Sequence, residues 1–291
     1  ISMRYLMNLW RLMSFKLIFK LIIYYSKRLL KIRYTQDEIL LNNYYDFLIK
    51  NNGIILKKKK RYFICKLYWN KQPLKLALRY GKHSDLYVYE QIFENNDYSI
   101  AIEKYKEFFY TQDLIIIDAG ANIGLSVLYF KKFFPNSLIL AIEPSYDNYL
   151  LLRINMYINK IHGILFFRKA LWFKNTLCSI LTDFRDQLDW SMRITENKNG
   201  NIEAITLSDI IYLLKYKFNK NHIDILKIDI EGAEKELFIS GAIQDHLKYI
   251  RLLVMEIHEE FIKKNDINQI MCDNNFIICE NGETSIYINS I

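Results

Sequence analysis

From Leu114 onward, short unbroken apolar runs alternate with stretches whose apolar positions recur every three or four residues. Runs of the first kind, rich in β-branched residues, predict buried strands, and stretches of the second kind predict amphipathic helices. Strands are expected at 114–118, 138–143, 163–169, 223–229 and 250–257, with helices at 125–134, 146–159, 207–216, 233–240 and 259–274. Strict alternation of the two predicts an α/β fold with a mostly parallel sheet and crossover helices. Two further runs, FIICE and SIYIN, flank Asn281 and Gly282 and predict a closing antiparallel hairpin. The stretch 171–205 breaks the rhythm and predicts a hairpin and long loop beside the sheet, where loops of such folds tend to meet substrate.

Upstream the pattern changes. Residues 3–34 carry eight basic residues, no acid, no Gly and no Pro, which predicts a continuous helix; Ile1 and Ser2 precede the first methionine and are left out. Arg11, Lys16 and Lys20 interrupt its apolar runs every few residues, whereas a membrane-spanning helix needs about 20 mostly apolar residues. The first alanine is Ala77, so a signal-peptide cleavage site of the A-x-A kind is also missing. On a helical projection Lys16, Lys20, Lys27 and Lys31 fall on one stripe, with Ile18, Ile22, Tyr25 and Leu29 roughly opposite and Trp10 and Phe15 as anchors. This is the pattern of a helix lying in a membrane surface; a helix docked on its own protein or on a second subunit has the same pattern. Residues 35–110 form an accessory region, with a short helix at 39–50, the run KKKKR at 57–61, which reads as a solvated hairpin tip, strand-like FICKLYW and PLKLALRY, and a helical stretch at 85–94. The chain thus divides into a basic amphipathic helix at 1–34, an accessory region at 35–110 and a catalytic domain at 111–291.

Charge follows the same division. The formal net charge is +8 over 291 residues, but residues 1–84 alone hold 19 Lys/Arg against Asp37, Glu38 and Asp46, so the rest of the chain is acidic overall. Any anionic partner therefore belongs to the first third. The four cysteines, Cys65, Cys178, Cys272 and Cys279, form neither a C-x-x-C pair nor a cluster with histidines, which argues against a disulfide framework or a zinc site and fits a reducing cytosol, with peripheral attachment at the inner face of a membrane as an option.

Candidate chemistry sits at the ends of the predicted strands. The first ends in D-A-G-A-N-I-G, Asp118 to Gly124, and runs directly into an apolar helix. Glycines there let backbone approach a ligand at a helix N-terminus. A dinucleotide fingerprint would need a third glycine where Leu125 stands, which weakens a hydride-transfer reading. The second strand ends in Glu143-Pro144, and a carboxylate at that tip can accept both hydroxyls of a ribose. Together the two elements predict the nucleoside-binding edge of an S-adenosylmethionine-dependent methyltransferase, held by Asp118, Gly120, Asn122, Gly124 and Glu143. The fourth strand ends in K-I-D-I-E-G-A-E; in an extended segment Asp229 and Glu231 point the same way. The fifth ends in M-E-I-H-E-E, so Glu256 and His258 share a face, and if the two strands are neighbours these groups converge beside the cofactor. Deprotonating a hydroxyl needs a base with a pKa near working pH; His258 is the candidate, with Asp229 or Glu231 orienting it or the acceptor. Glu234 reads as helix N-terminal stabilisation. The same four side chains, Asp229, Glu231, Glu256 and His258, could also hold a divalent cation, but no clear ligand pattern stands out and no metal is assigned.

These residues carry a likeness. DAGANIGLSVLYF, FPNS, AIEPSYDN, Asn155 and Asn159, ITLSDII and IDILKIDIEGAEKEL, preceded by SDLYVYEQIFENNDYS, resemble the FkbM-type methyltransferases from about Ser84 to His258. The resemblance implies a Rossmann-like class I methyltransferase sheet and O-methylation, often of sugars or of hydroxyls in glycans and natural products. By it Asp118, Gly120, Asn122, Gly124 and Glu143 fall on the cofactor motifs, and Asp229, Glu231 and Glu234 on the fourth-strand motif. The reading is an S-adenosylmethionine-dependent O-methyltransferase of a small-molecule or glycan acceptor, with possible peripheral membrane contact through 3–34. An RNA 2′-hydroxyl methyltransferase and a non-catalytic membrane-associated scaffold are the alternatives. Base-amino methylation is disfavoured because no two prolines are adjacent, and nucleic acid is not the expected partner.

Overall fold

The computed structural model describes residues 15–109, 111, 113–181, 193–282 and 284–290, with side chains from Phe19 onward. The chain forms two units: one reaches Tyr89 and includes Tyr157–Lys160, and the other comprises Glu90–Met156 and the chain from Ile161 onward.

In the first unit α1 (Phe15–Leu29) and α2 (Gln36–Lys50) precede a three-stranded antiparallel meander, β1 (Ile54–Lys58), β2 (Tyr62–Trp69) and β3 (Gln72–Arg79), and a short α3 (Asp85–Tyr89). Thr35 starts α2 through a capping box: its hydroxyl accepts from the Glu38 N–H, and the Glu38 carboxylate accepts from the Thr35 N–H. Lys27 of α1 pairs with that same carboxylate at 2.8 Å. The meander alternates, burying Phe63, Cys65 and Leu67 of β2, and KKKKR is exposed at the β1–β2 tip as expected. Helix α1 packs part of its apolar surface on its own unit and leaves part exposed. Leu21 and Tyr24 are buried, whereas Phe19, Ile22 and Leu29 are exposed; Tyr25 is half-buried and packs edge-on to Tyr45 of α2. Residues 3–14, with Trp10, lie outside the described residues.

The second unit opens with a π-turn (Glu90–Glu94) and α4 (Ser99–Phe108). This unit thus takes in residues 90–110, which the sequence reading places in the accessory region. The reason is aromatic: the Tyr105 hydroxyl donates to Asp224 Oδ1 at 2.5 Å, and Tyr98 stacks on Phe130, tying α4 to the sheet.

Then come β4 (Ile115–Ala119), α5 (Leu125–Phe133), β5 (Leu138–Ile142), α6 (Tyr146–Ile158), β6 (Ile164–Phe167), β7 (Ala170–Leu171), β8 (Leu177–Leu181), β9 (Arg193–Glu196), β10 (Ile202–Ile205), α7 (Leu207–Phe218), β11 (Ile223–Ile228), α8 (Glu234–Ile239), β12 (Ile250–Glu256), α9 (Lys264–Asp273), β13 (Phe276–Asn281) and β14 (Thr284–Asn289). The main sheet runs β13-β14-β12-β11-β4-β5-β6, and only β14 is reversed. This is the α/β, Rossmann-like arrangement with a mostly parallel sheet and a closing antiparallel hairpin that the sequence predicts. Helices cover both faces of the central strands, so β4 and β11 are buried along their whole length. Each buried isoleucine of β4 contributes about 2 kcal/mol. The stretch 171–205 contributes a second small sheet, β7-β10-β8-β9, larger than the expected hairpin; its 182–192 part lies outside the described residues. Helix α9 starts five residues later than the 3.6-residue pattern predicts, because 259–262 form a turn in which the Phe261 and Ile262 N–H groups bond to the His258 carbonyl.

Candidate active site

Strands β4, β5, β11 and β12 run parallel, so their C-terminal ends share one edge, where open α/β sheets hold ligands. At the end of β4 the chain turns through three left-handed residues: Gly120 (φ 79°), Asn122 (φ 48°) and Gly124 (φ 87°). Gly120 is required by close approach, since a Cβ there would collide with the Asp229 carbonyl of the neighbouring strand. The turn is fixed from β5: the Gly120 and Ala121 N–H groups both bond to the Ile142 carbonyl at 3.0 Å. Gly124 then opens α5 without a side-chain cap, leaving helix N-terminal amides at the turn.

Glu143 follows β5 and is buried. Its Oε2 accepts from the Asn122 N–H and its Oε1 from the Ser145 N–H, each at 2.8 Å. Burial raises its carboxyl to about 7 even against these backbone donors, so it changes charge near neutrality. Asn122 Oδ1 is buried and has no hydrogen-bond partner among the described residues, an acceptor waiting for a donor. Asp118, by contrast, is fully buried beneath the turn. It accepts from the Ser126 hydroxyl at 2.5 Å and lies 3.3 Å from Lys227, so it braces the turn and does not face its open side.

Lys227 is the residue that sequence reasoning missed. It sits inside the buried strand β11, directly opposite Asp118 in register. Its ammonium donates to the Gly120 carbonyl at 2.7 Å and pairs with Asp229 at 3.2 Å and with Asp118 at 3.3 Å. Burial alone would lower it, but Asp229 and Asp118 hold it well above the ordinary lysine value. The available signal was a lysine in an otherwise apolar strand, which can be buried only when paired.

On the β11 side the expectation of an extended segment carrying Asp229 and Glu231 is corrected. The strand ends at Ile228, and Glu231 adopts φ 54°, followed by Gly232 at φ 91°. The turn nevertheless brings the two acids together with His258, which comes from the segment after β12, a direct neighbour of β11. One ligand atom of each of the three lies within 4.8 Å of the others. His258 is only 1% exposed, with Nδ1 3.2 Å from Glu234 Oε1 and Nε2 3.4 Å from Glu231 Oε2 and 3.8 Å from Glu256 Oε1. Burial would lower its pKa; hydrogen bonding to Glu231 and Glu234 outweighs burial and carries it to about 11. An imidazole so held is cationic at neutral pH, which replaces the expectation of a free base poised near 7. Glu234, expected to stabilise a helix start, is fully buried and accepts from the Ile230 N–H and from His258.

The chain resembles known proteins over this same region. The model of the "Methyltransferase FkbM domain" family matches residues 118–278. Methyltransferase sdnD of Sordaria araneosa is 29% identical over 229 residues, covering 66% of this chain and 82% of that protein. Methyltransferase 1 of Beauveria bassiana is 24% identical over 190 residues, covering 59% and 72%. Among solved structures, the methyltransferase FkbM of Methylobacillus flagellatus KT is 16% identical with a TM-score of 0.39; the match covers 69% of this chain and 54% of that one. Magnesium protoporphyrin IX methyltransferase of Synechocystis PCC 6803, crystallised with bound SAM, is 13% identical with a TM-score of 0.40, covering 68% and 80%. The matched span of the family model runs from Asp118, before the glycine turn, past the lysine bridge and the histidine cluster into the closing hairpin, and the chain belongs to the FkbM methyltransferase family.

Proposed function

We propose that the chain is an S-adenosylmethionine-dependent O-methyltransferase acting on a hydroxyl of a sugar, glycan or glycolipid-like acceptor. The observation that carries this reading is the pairing of Lys227 with both Asp118 and Asp229, which ties the glycine turn to the carboxylates at the end of β11. The residues of the turn suit the cofactor. Glu143 is anchored by backbone amides and keeps lone pairs for two ribose hydroxyls, while Asn122 Oδ1 is a buried acceptor lacking a donor. S-adenosylmethionine supplies a methyl group on a sulfonium, a leaving group that needs no acid. The protein's own task is then to align the acceptor and take its proton. The side chains of Asp229 and Glu231 are 29% and 16% exposed, open enough to meet a hydroxyl; His258, at 1%, is a positioning residue that holds Glu231.

Calorimetry with S-adenosylmethionine tests the donor: saturable binding is expected, and its absence in the wild type sinks the assignment. Mass spectrometry of glycans and lipids from cells with and without the gene tests the acceptor, with a missing 14-dalton increment in the deletion strain expected for the glycan fraction.

For the first unit we infer contact with an anionic membrane surface. Phe19, Ile22, Leu29 and Leu30 are exposed on and after a helix bearing Lys20, Lys27 and Arg28. Among the described residues no helix is long and apolar enough to cross a membrane. Flotation with vesicles containing phosphatidylserine checks this: binding that survives Phe19→Ser with Ile22→Ser would contradict it.

A further inference from the structure

We propose that Asp229, Glu231 and His258 form a binding site for one divalent cation of the Mg²⁺ or Mn²⁺ class, where the sequence reading assigns no metal. Three observations carry it. The three donor atoms lie within 4.8 Å of one another, so side-chain movement of a few tenths of an ångström brings them inside the spread of about 4.6 Å that ligands held about 2.0–2.3 Å from one ion can have. The donors come from two different strand ends, so the parallel pairing of β11 with β12, and not a single flexible loop, sets their spacing.

The histidine supplies the second observation. Its Nδ1 faces Glu234 Oε1 at 3.2 Å, and Glu234 is itself fully buried and fixed by the Ile230 N–H. A carboxylate behind the ring in this way sets the tautomer and turns the other nitrogen toward a metal. That nitrogen, Nε2, is buried and aimed among the carboxylates of Glu231 and Glu256 at 3.4 and 3.8 Å, contacts too long for well-formed hydrogen bonds; the incoming cation displaces the Nε2 proton to solvent and takes its place.

The third is the donor chemistry. Two carboxylates and one imidazole, with no cysteine, suit a hard, oxygen-seeking ion better than a structural zinc, which takes four ligands and favours thiolates. Lys227 engages one oxygen of Asp229 and leaves the residue a second. Three protein ligands leave further positions open, and a hydroxyl oxygen is a natural occupant. The purpose of the site rests on the O-methylation reading above; its existence does not. In that reading the cation holds the acceptor oxygen beside the donor turn and makes its proton easier for a neighbouring carboxylate to accept.

The test titrates MnCl₂ into the chelator-treated full-length protein and reads free Mn²⁺ by electron paramagnetic resonance. One saturable site is expected, weakened at least about tenfold by Glu231→Gln and by His258→Gln, and about 10- to 100-fold by Glu234→Gln, which touches the ion only through the imidazole. No saturable binding up to about 1 mM, or binding unchanged in Glu231→Gln, overturns the site. Metal-free calorimetry with S-adenosylmethionine on the same samples separates the two readings. Binding there shows that a variant is folded, and wild-type protein that takes Mn²⁺ but no S-adenosylmethionine refutes the methyl-transfer reading and leaves the cation site standing.

Discussion

Strand β11 carries an acidic cluster at each end, and the two differ in how completely their partners are assigned. At the start, Asp224 accepts from the Tyr105 hydroxyl and from Arg251 on Oδ1 and from the Ile115 N–H on Oδ2, with His222 3.3 Å away. At the other end Asp229 meets Lys227 and the Glu231–His258 pair, next to buried polar atoms that have no hydrogen-bond partner among the described residues, Asn122 Oδ1 and His258 Nε2. The first cluster is complete within the chain and fastens α4 to the sheet. The second has acceptors and a ring nitrogen to spare, and that surplus distinguishes a binding site from a structural clasp.

The largest expected effect is at the complete end. Asp224→Ala takes the acceptor from the Arg251 guanidinium and the Ile115 N–H and leaves the Tyr105 hydroxyl only Thr111, and is expected to cost about 3 kcal/mol in urea unfolding, with S-adenosylmethionine affinity of the folded protein unchanged. A loss of affinity without loss of stability would erase the distinction between the ends. Lys227→Met ranks beside it. It leaves Asp118 uncompensated, whereas Asp229, being partly exposed, can rehydrate; we expect a loss of about 3 kcal/mol together with weaker cofactor binding, and unchanged binding would show that the bridge does not organise the turn. The smallest effect is a pH dependence. Glu143 titrates at about 7, and ribose hydroxyls donate best to its charged form, so cofactor affinity should rise about tenfold from pH 6 to pH 8 and stay flat in Glu143→Gln. The sign is opposite for the stability of the unliganded fold. A carboxyl raised from 4.5 to about 7 stabilises the folded state while protonated, and that contribution is lost as pH rises through about 7.

Much of the frame was legible because β4 and β11 are buried on both faces and read as short runs dominated by isoleucine and leucine, and the glycine turn was legible because Gly120 and Gly124 mark left-handed positions. The bridge was not. Asp118 and Lys227 are 109 positions apart and become partners only through the β4–β11 register, which periodicity does not encode. Glu231 was misread as extended because its left-handed turn is not a property of its own residue type; a non-glycine residue takes φ 54° only where surroundings hold it there. His258 was misread because a ring near a strand end looks exposed until Glu234, 24 residues earlier, is brought behind it. Helix α4 was not read as an element because its buried stripe, Ala101, Ile102 and Tyr105, is short, and Tyr105 joins the sheet through a bond to Asp224, 119 positions away.

The reversed strand β14 lies between β12 and β13, although both precede it in the chain. During synthesis the outer edge of β12 therefore stays open, with a row of unpaired amides and carbonyls, until β14 has emerged and slipped into place. A chain released without residues 284–289 would present this sheet edge to its neighbours, so loss of the closing strand is expected to lower soluble yield.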